Sequence, residues 1–266
     1  MNAELLLMFT LGRDRAYLFA HPEYELPADE QARYQDALAQ RARGVPAQYI
    51  TGHQEFWGID LIVTPAVLIP RPETEHVIET VMQLAKAIPS GSRASSPSNP
   101  TRIVDVGTGS GCIAIALASE LPQAQIHASD ISPAALEVAQ ANAARHQCES
   151  RIRFHQGDLL QGLNPANFDF VVSNPPYVGE SEADQVQLEV RKFEPRNAVF
   201  AGPTGLEIIE HLIPQAHSSL KPGGWLVLEI SGTIADRVRP LLGQWKHLQI
   251  TNDLQGIPRV AAAQKP

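Results

Sequence analysis

Between residues 102 and 230 the hydrophobic positions fall into short apolar runs that alternate with alanine-rich stretches of helical period. Arg102 to Val106, Gln125 to Ser129, Arg151 to His155, Phe168 to Ser173 and Trp225 to Ile230 read as strands. Cys112 to Glu120 and Pro133 to His146 read as helices, the second with Ser132 as its N-cap and Pro133 at the first helical position. Such alternation predicts an α/β fold built from βαβ units, with a mostly parallel sheet covered on both faces. Upstream, Leu5 to Arg43 has a helical pattern interrupted at Pro22 and Pro27 and ending at Gly44-Val45-Pro46. Phe56, Trp57, Ile59, Leu61, Val63 and Val67 then approach alternation around Gly58, which predicts a hairpin within Tyr49 to Ile69. A helix follows from Thr74 or Glu75 to about Ile88, and the Ser/Pro-rich stretch 89–100 reads as a flexible linker. Pro214, inside a helical pattern from Leu206 to Leu220, predicts a kink or a break. The pattern divides the chain into a helical region at 1–52, a hairpin, helix and linker at 53–100, and an α/β domain at 101–266.

Composition narrows the classes. A chain of 266 residues with 44% hydrophobic and 19% charged residues can bury one large or two modest cores. Lys and Arg number 21 against 29 Asp and Glu, so the net charge of −8 has the wrong sign for wrapping a phosphate backbone. Nonspecific nucleic-acid binding is therefore disfavoured, a local basic patch remaining compatible with the charge, and no direct specific nucleic-acid partner is expected. Cys112 and Cys148 cannot form a disulfide framework, and neither they nor the nine scattered histidines show metal-ligand spacing, so no metal is expected. The longest apolar runs fall far short of a bilayer span, and Glu4 stands where a signal peptide would carry basic residues. A cytoplasmic protein without a membrane partner is the expectation.

The first strand of the α/β region runs into Asp105-Val-Gly-Thr-Gly-Ser-Gly-Cys112, where ligand loops of an open α/β sheet belong. Gly107, Gly109 and Gly111 let the backbone turn tightly and approach a ligand without a Cβ in the way, and with Thr108 and Ser110 they form the candidate cofactor-binding loop. Cys112 stands where a dinucleotide fingerprint needs glycine, and the Gly-Lys-Ser/Thr of a P-loop is absent. The remaining pattern, Asp-x-Gly-x-Gly-x-Gly, resembles the first motif of S-adenosylmethionine-dependent methyltransferases. At the next strand end, Asp130 can accept hydrogen bonds from two ribose hydroxyls and Ile131 can cover one face of an adenine ring. A third strand end brings Gly157-Asp158-Leu159, where Asp158 can receive the adenine amino group and Leu159 can cover the other face. The plainer readings are a tight turn for the loop and a helix cap for Asp130. Cys112, without a His or Asn partner, reads as a small packing residue.

The run Phe168 to Ser173 ends in Asn174-Pro175-Pro176-Tyr177. Two prolines stiffen the backbone and remove two N–H donors, leaving carbonyls that only accept. The Asn174 side-chain oxygen and the Pro175 carbonyl can therefore take the two hydrogens of a planar –NH2 group, on which Tyr177 can stack. This suits methyl transfer to an amide or an exocyclic amine, whose lone pair is delocalised and depends on orientation for reactivity.

Arg41-Ala-Arg-Gly-Val-Pro-Ala-Gln-Tyr-Ile-Thr-Gly52, Glu55-Phe-Trp-Gly58, Val67-Leu-Ile-Pro-Arg-Pro-Glu-Thr-Glu75, the glycine loop, Asn174 to Tyr177 and Phe193-Glu-Pro-Arg196 follow in this order. Together they resemble the peptide chain release factor N5-glutamine methyltransferases over nearly the whole chain. The resemblance implies a seven-stranded Rossmann-like class I methyltransferase sheet, a small helical N-terminal domain that docks substrate, and a β-hairpin linker. It implies S-adenosyl-L-methionine as cofactor and the glutamine of the Gly-Gly-Gln motif in bacterial class I release factors as substrate, gripped by Asn174, Pro175, Pro176 and Tyr177. A monomer is expected. The alternative is an adenine-N6 methyltransferase acting on DNA or RNA, which would use the same Asn-Pro-Pro-Tyr device but lacks a basic, aromatic-interleaved segment here.

Departures from the family pattern are a short helical N-terminal region, Ala201-Gly-Pro-Thr-Gly205 in place of Gly-Gly-x-Asp-Gly, and Glu229-Ile-Ser-Gly232 in place of Glu-Ile-Gly. The last two are expected to lie outside the central motifs. Arg71, Glu73 and Thr74 read equally well as substrate or cofactor contacts and as a proline-bounded turn, with Arg71 the candidate substrate ligand. Glu194 and Arg196 read as a structural ion pair, and the three tryptophans as packing residues.

Overall fold

The computed structural model describes residues 2–87, 100–164 and 166–266, so most of the expected linker lies outside the described residues. Helices α1 (Asn2–Leu11), α2 (Arg15–Ala20), α3 (Ala28–Ala42) and α4 (Ala47–Thr51) come first. Gly52, at φ 77°, ends α4 in the left-handed conformation. The hairpin pairs β1 (His53–Phe56) with β2 (Ile59–Ile62) through a Trp57-Gly58 turn. A single 3-10 turn at Pro72–Thr74 leads into α5 (Glu75–Ala87). The first α/β units follow as β3 (Arg102–Val106), α6 (Cys112–Glu120), β4 (Gln125–Asp130), α7 (Pro133–Arg145), β5 (Ile152–Gln156) and β6 (Phe168–Ser173).

Beyond β6 come β7 (Val178–Gly179), α8 (Leu188–Phe193), α9 (Arg196–Val199), β8 (Phe200–Gly202), α10 (Glu207–Ser219), β9 (Leu220–Glu229), α11 (Ala235–Leu241), β10 (Lys246–Asn252) and β11 (Pro258–Gln264). Seven strands form one sheet in the order β10-β11-β9-β6-β3-β4-β5. Only β11 runs against its neighbours. The expected parallel core is present. The order reverses at β3, whose successors β4 and β5 lie on one side while β6 and β9 lie on the other. Its carboxyl end is therefore the topological switch point.

One apolar layer packs Ile103, Phe170, Val172 and Val227 against α5 and α6. The other packs Val104, Val171, Leu226 and Leu228 against α10 and α11. Helix α6 buries six consecutive residues, Ile113 to Ala118, which explains an apolar sequence without a polar face. Ser132 caps α7 as expected, accepting the Ala135 N–H at 3.2 Å. Pro214 does not break α10, which runs on to Ser219. The last sequence-predicted strand begins five residues early, at Leu220, and β10 and β11 are strands that the hydrophobic pattern does not predict.

A single buried polar side chain joins three parts of the fold. Asn142 of α7 accepts the Ile62 N–H through Oδ1 at 2.7 Å and donates through Nδ2 to the carbonyls of Ile62 and Ser110, both at 2.9 Å. It ties the hairpin and the glycine loop to the same helix. Asn142→Ala leaves a buried backbone donor and two acceptors unpaired, and should lower stability by about 2–4 kcal/mol in a denaturant titration. A loss below about 0.5 kcal/mol, the level of an ordinary surface substitution, would contradict this role.

Candidate active site

The glycine loop follows β3 directly. Gly107, Gly109 and Gly111 have φ of 71°, 55° and 84°, a conformation that side chains with a Cβ rarely adopt. The loop is pinned to β4, with the Gly107 and Thr108 N–H groups donating to the Ser129 carbonyl at 2.8 and 3.0 Å. Asp130, at the end of β4, accepts the Gly109 N–H on Oδ2 and the Ser132 N–H on Oδ1, both at 2.9 Å. Asp130 is not the cap of α7, which is Ser132; it braces the Gly109 and Ser132 N–H groups at the cavity wall. Ser129 donates to the Leu159 carbonyl at 2.9 Å, which draws the third strand-end segment inward.

These strand ends enclose a cavity of about 280 Å³. Gly107, Thr108, Gly109, Ser110, Asp130, Ile131, Asp158, Leu159, Asn174 and Pro176 all line it. Gly111 does not. A Cβ there would lie 3.1 Å from the Ile115 side chain and 3.2 Å from that of Ala139, so this glycine serves the close packing of α6 on α7. Ala66, Val67, Leu68 and Pro70, from the segment after the hairpin, close a further wall that sequence reasoning did not place.

A second cavity, of about 350 Å³, adjoins the first. Arg71, Pro175, Tyr177 and Glu229 line it, and Leu68, Asn174, Pro176 and Ala198 border both cavities. The sequence-predicted residues therefore separate into two adjacent spaces that meet at Asn174. Backbone contacts hold this segment: Gly205, at φ 83°, passes so close to the Tyr177 carbonyl that a Cβ would lie 2.6 Å from it. Gly205 and Glu229 were both expected outside the central motifs, yet both touch Tyr177.

Behind the second cavity runs a buried chain of hydrogen bonds. Asn174 Nδ2 donates to Thr74 Oγ1 at 3.1 Å, Thr74 donates to Glu229 Oε2 at 2.5 Å, and the Tyr177 hydroxyl donates to Glu229 Oε1 at 3.3 Å. Burial first, and Glu73 nearby, push the Glu229 carboxyl up to about 7 against the two hydroxyl donors and Arg259. Burial and the Glu229 charge raise the Tyr177 phenol above its ordinary value, so it stays neutral. Burial likewise takes Asp105, beneath the loop, up to about 7 despite the Thr108 hydroxyl at 2.7 Å. The Cys112 thiol is pushed up to about 12, chiefly by burial, in keeping with a packing role.

Glu194 and Arg196 do not pair with each other. Glu194 is buried and pairs with Arg71, while also accepting the Ile69 N–H at 3.2 Å; Arg196 pairs instead with Glu180 at 2.5 Å. Glu73 faces Arg259 at 3.7 Å. Asn142, Thr74 and Glu229 are the structural residues that sequence reasoning missed or left open. Their partners are 80, 100 and 155 residues away in the chain, so no local pattern marks them. Among the described residues there is no cluster of His, Cys, Asp and Glu able to hold a metal, and no helix long and apolar enough to cross a membrane.

Residues 1–52 match the PrmC N-terminal domain family and residues 92–192 match the methyltransferase small domain family. The release factor glutamine methyltransferase of Koribacter versatilis is 55% identical over 267 aligned residues, covering 100% of this chain and 91% of the relative. That of Moorella thermoacetica is 41% identical, covering 97% of this chain and 89% of the relative. Among solved structures, the catalytic domain of human METTL16 in complex with an RNA hairpin superimposes with a TM-score of 0.60 at 16% identity, covering 94% of this chain and 92% of that one. At that identity the likeness speaks for the fold alone, a class I methyltransferase sheet. The full-length similarity to bacterial relatives establishes that this chain belongs to the release factor glutamine methyltransferase family.

Proposed function

We propose that this protein transfers a methyl group from S-adenosyl-L-methionine to the side-chain amide nitrogen of the glutamine in the Gly-Gly-Gln motif of bacterial class I release factors. The observation that carries the reading is the meeting of two cavities at Asn174, one walled by the glycine loop and the other by Arg71, Pro175 and Tyr177.

The first cavity suits the cofactor. Asp130 spends one lone pair of each oxygen on backbone N–H groups and keeps others for ribose hydroxyls. Ile131 and Leu159 offer apolar cover for the adenine, with Asp158 as acceptor for its amino group, while Gly107 to Ser110 leave room for the backbone to approach the ligand. When bound, S-adenosylmethionine supplies an electrophilic methyl carbon on a sulfonium.

In the second cavity, Asn174 Oδ1 and the Pro175 carbonyl accept the two N–H groups of the glutamine amide and fix the direction of its nitrogen lone pair. With the cofactor bound, the oriented nitrogen would take the methyl group as the electrons of the carbon–sulfur bond pass to sulfur, and the nitrogen's proton, acidic once alkylated, would be released to water. Orientation and a fixed polar environment supply the acceleration, so no strong base is required. Neutral Tyr177 covers the amide plane, and Pro176 stiffens the turn between the cavities. Arg71, held by Glu194, faces the substrate backbone. Residues 1–52 dock the release factor; the Arg41–Glu189 ion pair at 2.9 Å links α3 to α8, which lies beside the second cavity. A folded protein partner is also compatible with the net charge of −8, which a nucleic-acid substrate would not favour.

A tritiated-methyl assay offering a class I release factor, its Gln→Ala variant, DNA and RNA should label only the intact release factor. Label in nucleic acid and none in the release factor would overturn the assignment. Asn174→Ala should lower kcat on the order of a thousandfold or more while cofactor affinity, measured by calorimetry, changes less than tenfold. Full turnover by that variant would exclude the proposed grip.

A further inference from the structure

The chain Asn174–Thr74–Glu229–Tyr177 has a direction. In its ionised form Glu229 only accepts hydrogen bonds, so the Thr74 hydroxyl then spends its single proton on Glu229 Oε2, 2.5 Å away. Its oxygen then presents lone pairs to Asn174, which can meet them only with its –NH2 group, at 3.1 Å. The Tyr177 hydroxyl donates to the other carboxylate oxygen, so Glu229 orders two residues of the Asn-Pro-Pro-Tyr segment at once. Among the described residues none donates to Asn174 Oδ1, and Asn174 lines both cavities.

We propose that Thr74 and Glu229 are positioning residues that lock the Asn174 side-chain amide with its oxygen, rather than its –NH2, toward the substrate nitrogen. An amide is nearly symmetric in shape, so packing alone cannot tell its two ends apart; a directional hydrogen bond can. Were the amide reversed, Asn174 would offer donors to a substrate group that is itself a double donor, and the grip would be repulsive. Thr74 stands beside the switch point because the proline-bounded turn before α5 carries it there, and Glu229 because β9 ends next to β6. Both are buried, so water does not compete for the bonds.

This inference rests on Asn174 gripping the glutamine amide, and its test separates the two. Thr74→Val keeps the shape and removes the hydroxyl. In the release factor methylation assay it should lower kcat on the order of tenfold to a hundredfold, with KM for the release factor within about threefold, because docking does not depend on one amide. Thr74→Ser restores the directional bond and should recover turnover to within about threefold of the parent. Glu229→Gln, which can donate as well as accept, should resemble Thr74→Val. Asn174→Ala is run beside them. Parent-like turnover by Thr74→Val while Asn174→Ala is inactive would overturn the positioning role and leave the grip standing. Equal losses in Thr74→Val and Thr74→Ser would also overturn it, since packing rather than the hydroxyl would then be responsible. Full activity of Asn174→Ala would remove the reading beneath it.

Discussion

Parallel pairing of β3 with β6 sets Val106 opposite Ser173 and brings two chain segments from distant parts of the sequence to the same sheet edge. The Ser173 hydroxyl donates to the Val106 carbonyl at 2.7 Å and fastens that last pair. One residue further on, each strand delivers its loop: Gly107 on one side and Asn174 on the other. At this edge the crossover to β4 leaves in one direction and the connections through α10 to β9 leave in the other, so nothing from the sheet itself fills the gap. The cavities exist because the connections diverge there. A slip of one residue in this pairing would turn Ser173 away from Val106 and carry Asn174 to the opposite face.

The site that forms at this edge is unusual in how much polarity it buries. Asp105 and Glu229 are carboxyls in an apolar interior, and both are pushed toward neutrality by the cost of desolvating a charge. Hydroxyls offset part of that cost, Thr108 for Asp105 and Thr74 with Tyr177 for Glu229. Such groups are poor contributors to stability compared with apolar replacements of the same volume. What they offer is direction, since in a medium of low polarity a hydrogen bond holds its geometry more firmly than at the surface.

Most of the scaffold was legible in the sequence because its elements are set by local chemistry. Alanine-rich helices flanked by β-branched strands, Ser132-Pro133 at the start of α7 and three glycines after β3 each carry their own signal. The stiff Asn-Pro-Pro-Tyr segment does too. Strands β10 and β11 were not read from the residues. Ala261-Ala262-Ala263 has no β-branched character and becomes a strand only because β9 and β10 flank it. The same holds for the site. Residues that face a ligand space sit in recognisable motifs, whereas Thr74, Glu229 and Asn142 act through partners far along the chain. Arg196 was misread for the opposite reason: proximity in sequence suggested Glu194, while the fold turns each toward a different partner.

Asn142 also shows how unevenly freedom to vary is distributed over one set of contacts. All three of its hydrogen bonds end on main-chain atoms, of Ile62 twice and Ser110 once. Every amino acid offers the same carbonyl, and every one but proline the same N–H, so these bonds constrain the identities at positions 62 and 110 very little. Position 142 has no such latitude, since it must supply an acceptor and two donors on a short planar group inside a sealed space. The hairpin and the glycine loop can drift in sequence while remaining joined, and the whole demand of that joint falls on one residue of a helix that belongs to neither.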